Sequence, residues 1–123
     1  MTAVIRPATV ADLPAILAIY NDAVLNTTAI WNEALADIDN RLAWFEARAR
    51  QNYPVLVAEM VGAVVGYGSF GDFRPFDGYR HSVENSIYVD PGETGRGIGR
   101  KLLGELIAQC TAQGFRQMIA VIG

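Results

Sequence analysis

Apolar residues recur at helical spacing in three stretches of the chain and form short strand-like runs in four others. Behind Thr9 and Asp12, spaced as a capping box, Leu13, Ile16, Leu17 and Tyr20 predict a first helix with Pro14 in its opening turn. Asp37 to Arg50 repeats the pattern, with Ile38, Leu42, Phe45 and Ala49 on one side and Asp39, Glu46, Arg48 and Arg50 elsewhere. After Tyr53-Pro54 the texture changes. Val55 to Glu59 and Ala63 to Phe70 are β-branched or aromatic runs separated by a segment containing Gly62, the pattern of an antiparallel hairpin. A polar loop from Gly71 to His81 leads to a further strand, Ser82 to Val89, which Asp90-Pro91-Gly92 stops. From Gly99 onward Leu102, Leu103, Leu106, Ile107 and Cys110 form a helical stripe that Gly114 is placed to end, and Phe115 to Ile122 is strand-like again. The expected architecture is α/β (α+β), a mixed and mainly antiparallel sheet flanked by helices.

Composition narrows the functions such a fold could serve. At 123 residues the chain has room for one domain, residues 1–123. Hydrophobic residues make up 51% and charged residues 19%, which suits a soluble, folded core. Ten Lys and Arg against thirteen Asp and Glu give a net charge of -3, without the basic footprint that nucleic-acid binding requires. The apolar stretches are too short for a membrane span or an export signal. A single cysteine, Cys110, in register with Leu103, Leu106 and Ile107, reads as a buried small hydrophobe and fits a reducing, cytoplasmic setting. His81 is the only histidine, so neither a metal site nor a Ser-His-Asp triad is expected. The sequence ends inside the apolar run Val121-Ile122-Gly123, and the fold is expected to be incomplete at its C-terminus.

Thr94-Gly95-Arg96-Gly97-Ile98-Gly99-Arg100-Lys101 lies between a strand and a helix start. Alternate glycines let backbone N–H groups converge, and a helix N-terminus adds partial positive charge, so the segment can cradle a pyrophosphate, with Arg96, Arg100 and Lys101 supplementing it. A plain glycine turn is the alternative. It is not a Walker A loop, which needs Gly-Lys-Ser or Gly-Lys-Thr, nor a dinucleotide fingerprint, since Arg100 stands where the third glycine belongs.

With Val89-Asp90-Pro91 before it, Thr94-Gly95-Arg96-Gly97-Ile98-Gly99 resembles the acetyl-CoA loop of the GCN5-related N-acetyltransferases (GNAT), with Thr94 in the usual Arg/Gln position. Ile19 to Val24, Thr28 to Asn32, Arg41 to Phe45, Tyr53 to Ala58, Gly71 to Phe76 and Val83 to Val89 resemble, in order, the phosphinothricin and methionine sulfoximine or sulfone acetyltransferases. The resemblance implies the GNAT acyl-CoA N-acyltransferase fold, acetyl-CoA as cosubstrate and a small amino-acid-like amine as acceptor. It also implies that backbone groups of Ile87, Tyr88 and Val89 run beside pantetheine, and that Gly95, Arg96, Gly97, Ile98, Gly99 and Arg100 hold the pyrophosphate. Acceptor contacts are implied at Arg74, Pro75, Phe76, Glu84, Asn85 and Ser86. Members with Glu-His-Ser have a histidine where Asn85 stands, and the family continues beyond Gly123.

Glu84, Ser86 and Tyr88 share one strand face by the period of two. A carboxylate there could accept the acceptor's ammonium proton; an edge or interface glutamate paired with arginine is the other reading. The resemblance favours the base. Tyr88 is expected to pack rather than act as an acid. Arg74, with Arg80 nearby, suits a carboxylate or phosphinate unless it is a solvated loop arginine. Trp31 and Trp44 could wall a pocket or simply fill core. No activated nucleophile is visible, so direct attack of the amine is expected. The alternative function is a truncated, non-catalytic domain that binds CoA or self-associates, and a homodimer is expected under either reading.

Overall fold

The computed structural model describes residues 3–26, 36–72, 82–93, 97–114 and 117–122. One sheet runs in sequence order through β1 (Val4–Pro7), β2 (Val55–Met60), β3 (Ala63–Asp72), β4 (Ser82–Val89) and β5 (Gln117–Ile122). β1 to β4 pair antiparallel, and β5 joins β4 in parallel. That last pairing needs a crossover, which α3 (Ile98–Ala112) supplies. Alternation along the strands divides the core. Leu56, Ala58, Phe70 and Ile87 pack under α3, whereas Val55, Val57 and Tyr67 pack under α1 (Leu13–Asn26) and α2 (Ile38–Arg50). The mixed, mainly antiparallel sheet flanked by helices is therefore as the sequence predicts.

Local chemistry sets the element ends. A short 3-10 turn, Val10–Asp12, precedes α1, so the Thr9 and Asp12 pair caps that turn: the Thr9 N–H donates to Asp12 Oδ2 at 2.8 Å. Pro14 falls in the first turn of α1, where a missing N–H removes no helical bond. Asp37 starts α2 by accepting from the Asn40 N–H at 2.8 Å. Asn52, at φ 61, follows that helix in the left-handed conformation while the Tyr53 N–H donates to the Arg48 carbonyl at 2.9 Å. Val61 and Gly62 join β2 to β3 with φ values of 53 and 79, a two-residue turn of the I′ kind. A bulge follows at Val65, after which Gly66 and Gly68 face α3. A Cβ on Gly66 would lie 3.2 Å from Ile98 Cγ2 and one on Gly68 3.1 Å from Leu106 Cδ1, so the two glycines let α3 sit close to the sheet.

Three features depart from the sequence reading. β1 is too short to show a period, and it holds the sheet edge through Arg6, whose Nη1 and Nη2 donate to the two oxygens of Asp12 at 2.8 and 2.9 Å and whose Nε donates to Glu59 at 2.8 Å. The helical stripes are also narrower than expected. Ile107 is 49% exposed on α3 and Ile38 45% exposed on α2, while Leu102, Leu106 and Cys110 are buried as expected. Finally, α2 turns Arg41 inward, to 8% exposure. Among the described residues no helix is long and apolar enough to cross a membrane.

Candidate active site

β4 separates two environments. Ile87 is buried in the core under α3 and Val89 packs against that core, whereas Ser86 and Tyr88 line a cleft of about 150 Å³ on the side of α1 and α2. Tyr67 and Ser69 of β3 form its floor beside them, and Tyr20 of α1 with Arg41, Trp44 and Arg48 of α2 close the other wall. The α2 residues recur at steps of three and four, so one helical stripe points into the cleft. Aromatic contacts fix the walls. Tyr88 meets Tyr20 edge to face at 6.2 Å and Tyr67 at 5.2 Å, and Trp44 meets Tyr67 edge to face at 5.9 Å.

The polar groups are held by their surroundings. The Arg41 guanidinium lies 4.2 Å from the Tyr20 ring centre and 4.9 Å from that of Trp44, and its Nε and Nη2 donate to Asn40 Oδ1 at 3.0 and 2.8 Å. Ser69 Oγ donates to the Pro54 carbonyl at 2.7 Å. Tyr67 is 1% exposed. Burial pushes its phenol well above the ordinary value, Tyr88 adds to the rise, and the neighbouring Arg41 charge opposes it. Gly71 makes room for a second arginine: a Cβ there would lie 2.7 Å from the Arg48 guanidinium.

The expected site residues divide between places. Glu84 takes the register position opposite Gly71 and Ile119, two residues before Ser86. Asn85 is 1% exposed, alternates with the cleft residues and by its strand position shares the face of Ile87. Arg74, Pro75, Phe76, Gly95 and Arg96 lie outside the described residues, as do Trp31, Arg80 and His81. Gly97 caps α3 at φ 75, and among the described residues nothing beyond its chain neighbours lies within 4 Å of where its Cβ would be. Gly99 is helical rather than part of a turn, Ile98 is buried beneath the sheet, and Arg100 is exposed. The first α3 residue to donate a helical bond is Lys101, to the Gly97 carbonyl at 3.1 Å, which leaves the N–H groups of Ile98, Gly99 and Arg100 unused by the helix. The expected help from Lys101 is redirected, because its Nζ donates to the Ala3 carbonyl at 3.2 Å.

Cys110 is buried, and burial pushes its thiol pKa up, away from nucleophilic use. Among the described residues no three His, Cys, Asp or Glu side chains gather to hold a metal. Tyr20, Arg41, Arg48, Tyr67 and Ser69 were not anticipated as cleft residues. The signal for Arg41 and Arg48 was present in their helical spacing with Trp44.

Comparison with known proteins agrees with this arrangement. The Acetyltransferase (GNAT) family model matches residues 16–122. An L-methionine sulfoximine/L-methionine sulfone acetyltransferase of Pseudomonas paraeruginosa is 59% identical over 123 residues, covering 99% of this chain and 72% of the relative. A phosphinothricin N-acetyltransferase of Alcaligenes faecalis is 40% identical over 112 residues, covering 91% of this chain and 57% of the relative. A Sinorhizobium meliloti phosphinothricin acetyltransferase, solved with acetyl-CoA, superposes with a TM-score of 0.93 at 46% identity, covering 100% of this chain and 67% of that one.

Proposed function

Because this chain belongs to the GNAT acetyltransferase family, we propose that it transfers acetyl from acetyl-CoA to the primary amine of a small amino-acid-like acceptor of the methionine sulfoximine, methionine sulfone or phosphinothricin type. One observation carries the reading: a single strand, β4, borders the cleft with Ser86 and Tyr88 and then leads, past Asp90, to the Gly97 cap of α3. The residues fit a phosphate-bearing ligand there. Among the described residues the space at Gly97 is open, and the N–H groups of Ile98, Gly99 and Arg100, unused by the helix, present partial positive charge to an anion. Gly95 and Arg96 complete that cradle in this reading, and the backbones of Ile87, Tyr88 and Val89 run beside pantetheine.

When bound, acetyl-CoA supplies the thioester that the freed amine attacks. Glu84 accepts the proton that the acceptor's ammonium must lose, directly or through water. Arg74, Pro75, Phe76, Glu84, Asn85 and Ser86 contact the acceptor. The buried, high-pKa thiol of Cys110 supports direct attack rather than an acyl-enzyme. Tyr88 is held by an edge-to-face contact with Tyr20 and a tilted ring contact with Tyr67, which supports a packing role. Residues 1–123 form one domain, since both core clusters share one sheet. The protein acts in the cytoplasm, which a lone buried cysteine suits, and as a homodimer.

CoA release assayed with phosphinothricin, methionine sulfoximine, methionine sulfone and simple amines tests the reading. Acetylation of one of the first three above the simple amines is expected, and no transfer to any of them would sink it. Glu84→Gln tests the base: turnover falls by about 10²-fold with acetyl-CoA affinity unchanged, and unaltered turnover across pH rejects the role.

A further inference from the structure

The cleft contains a buried cation and a buried hydroxyl, and the hydroxyl has no hydrogen-bond partner among the described residues. Arg41 is held by two aromatic faces and one amide oxygen, none of which carries formal negative charge. Among the described residues no carboxylate pairs with it. Arg6 is different, being more exposed and yet bonded to Asp12 and Glu59 together. A guanidinium largely withdrawn from water without an anion is costly, and Arg41 is 8% exposed with Asn40 Oδ1 accepting from its Nε and Nη2. The Tyr67 hydroxyl is buried and has no hydrogen-bond partner among the described residues. The two groups line the same cleft, near enough for both the charge and the N–H groups of Arg41 to act on the phenol, although no partner meets the Tyr67 hydroxyl at full hydrogen-bond geometry among the described residues. Both are donors. What would satisfy them together is an acceptor of two lone-pair oxygens bearing negative charge.

We propose that Arg41 and the Tyr67 hydroxyl form the subsite that receives the two-oxygen acidic group of the acceptor, with the guanidinium and the phenol both donating to it. This rests on the acetyltransferase reading, which it deepens by assigning acceptor recognition to α2 and β3. Two groups in acceptors of this type carry the required charge, the α-carboxylate common to all of them and the side-chain phosphinate of phosphinothricin; a sulfone is neutral, and a sulfoximine is neutral with one oxygen and one nitrogen. The α-carboxylate fits better. It lies one carbon from the reacting amine, and Ser86, which lines the cleft, lies two residues from Glu84 on one strand. Tyr67 serves as a donor throughout neutral pH because its phenol stays protonated. The aromatic sandwich holds the guanidinium plane before any ligand arrives, so little ordering remains to be done on binding.

The test compares methionine sulfone, its carboxamide and methionine as acceptors of the wild-type protein, Arg41→Gln and Tyr67→Phe, by acetyl transfer and by calorimetry with CoA present. The wild type is expected to prefer methionine sulfone over its carboxamide by about 10²-fold. Arg41→Gln reduces that preference to within about 3-fold by weakening the acid and sparing the carboxamide, and Tyr67→Phe reduces it by about 10-fold, with the KM for acetyl-CoA unchanged in both. A merely structural arginine lowers both ligands alike. Loss of the preference for the sulfone over methionine, with the preference for acid over carboxamide kept, would place the neutral side-chain oxygens there and overturn the assignment. Both preferences intact in both variants overturn the inference. If Arg41→Gln does not fold, Tyr67→Phe decides alone, since it keeps the ring. Acid binding that depends on Arg41 without acetyl transfer would remove the enzymatic reading and leave the subsite standing; neither binding nor transfer by the wild type removes both.

Discussion

The two faces of the sheet are built from different materials. Under α3 the contacts are apolar, with Ile98, Leu102 and Leu106 nearly inaccessible and two glycines removing side chains from β3 where the helix presses down. Under α1 and α2 an apolar layer of Leu13, Ile16, Val55 and Val57 gives way, toward β4, to tyrosines, serines and arginines around a cleft. A sheet face packed to interior density specifies a structure; a face interrupted by polar groups that are held in place specifies a place to bind. β4 takes part in both, which lets one strand anchor the fold with Ile87 and present Ser86 and Tyr88 to the cleft.

The comparison breaks most sharply at Leu106. Its side chain is fully buried, so Leu106→Ala removes apolar contact and leaves a cavity under α3, a loss of about 3 kcal/mol. Urea unfolding measures it, and a loss below about 1 kcal/mol would mean that the α3 face collapses freely and is no tighter than the other.

Gly66→Ala comes next, at about 1 to 2 kcal/mol. The new Cβ would meet the Tyr88 carbonyl oxygen at 3.1 Å and Ile98 Cγ2 at 3.2 Å, and the backbone oxygen cannot yield without disturbing β4. A variant as stable as wild type by the same urea measurement would show that α3 is not seated on the glycines.

Much of this division is legible in the sequence. Leu102, Leu106 and Cys110 announce the α3 face because apolar spacing reflects burial, and Ser82 to Val89 reads as a strand with the limits it has. Arg41 is not legible in the same way. An arginine on a helix is ordinarily assigned to solvent, and here stacking on Tyr20 and Trp44, residues from two helices, supplies the burial. Tyr67 reads only as strand filler, since its orphaned hydroxyl depends on what α2 brings to it. β1 is hidden for another reason: Val4 is 62% exposed and the strand is secured by Arg6, an ion-pair contribution that no hydrophobic pattern records.

That ion pair gives the α1 side a stability that depends on acid pH. The Asp12 carboxyl is held below its ordinary value of 3.8, chiefly by the hydrogen bonds from Arg6 and further by the Thr9 N–H, with burial opposing. A carboxylate with a depressed folded pKa contributes stability that is fully present above its unfolded pKa and is lost as pH falls through the folded one. Wild-type stability should therefore decline below about pH 4, and Asp12→Asn, weaker by about 1 to 2 kcal/mol at pH 7, should decline less steeply there. Parallel acid profiles for the two proteins would show that Asp12 does not couple folding to protonation.

The smallest effect is expected from the same substitution on the opposite face. Gly71→Ala places a Cβ 2.7 Å from the Arg48 guanidinium, closer than any contact at Gly66, yet what it meets is the end of a flexible side chain rather than backbone. Arg48 can swing aside, and fewer unfolded conformations offset the residual crowding, so stability should stay within about 0.5 kcal/mol of wild type. The displacement should register inside the cleft instead. The Arg48 guanidinium lies 6.0 Å from the Trp44 ring, and moving it should shift the Trp44 indole N–H resonance while leaving the Leu102 and Leu106 methyl signals in place. If Gly71→Ala unfolds the protein as readily as Gly66→Ala does, Arg48 is a fixed strut, and the cleft face is packed as rigidly as the one beneath α3.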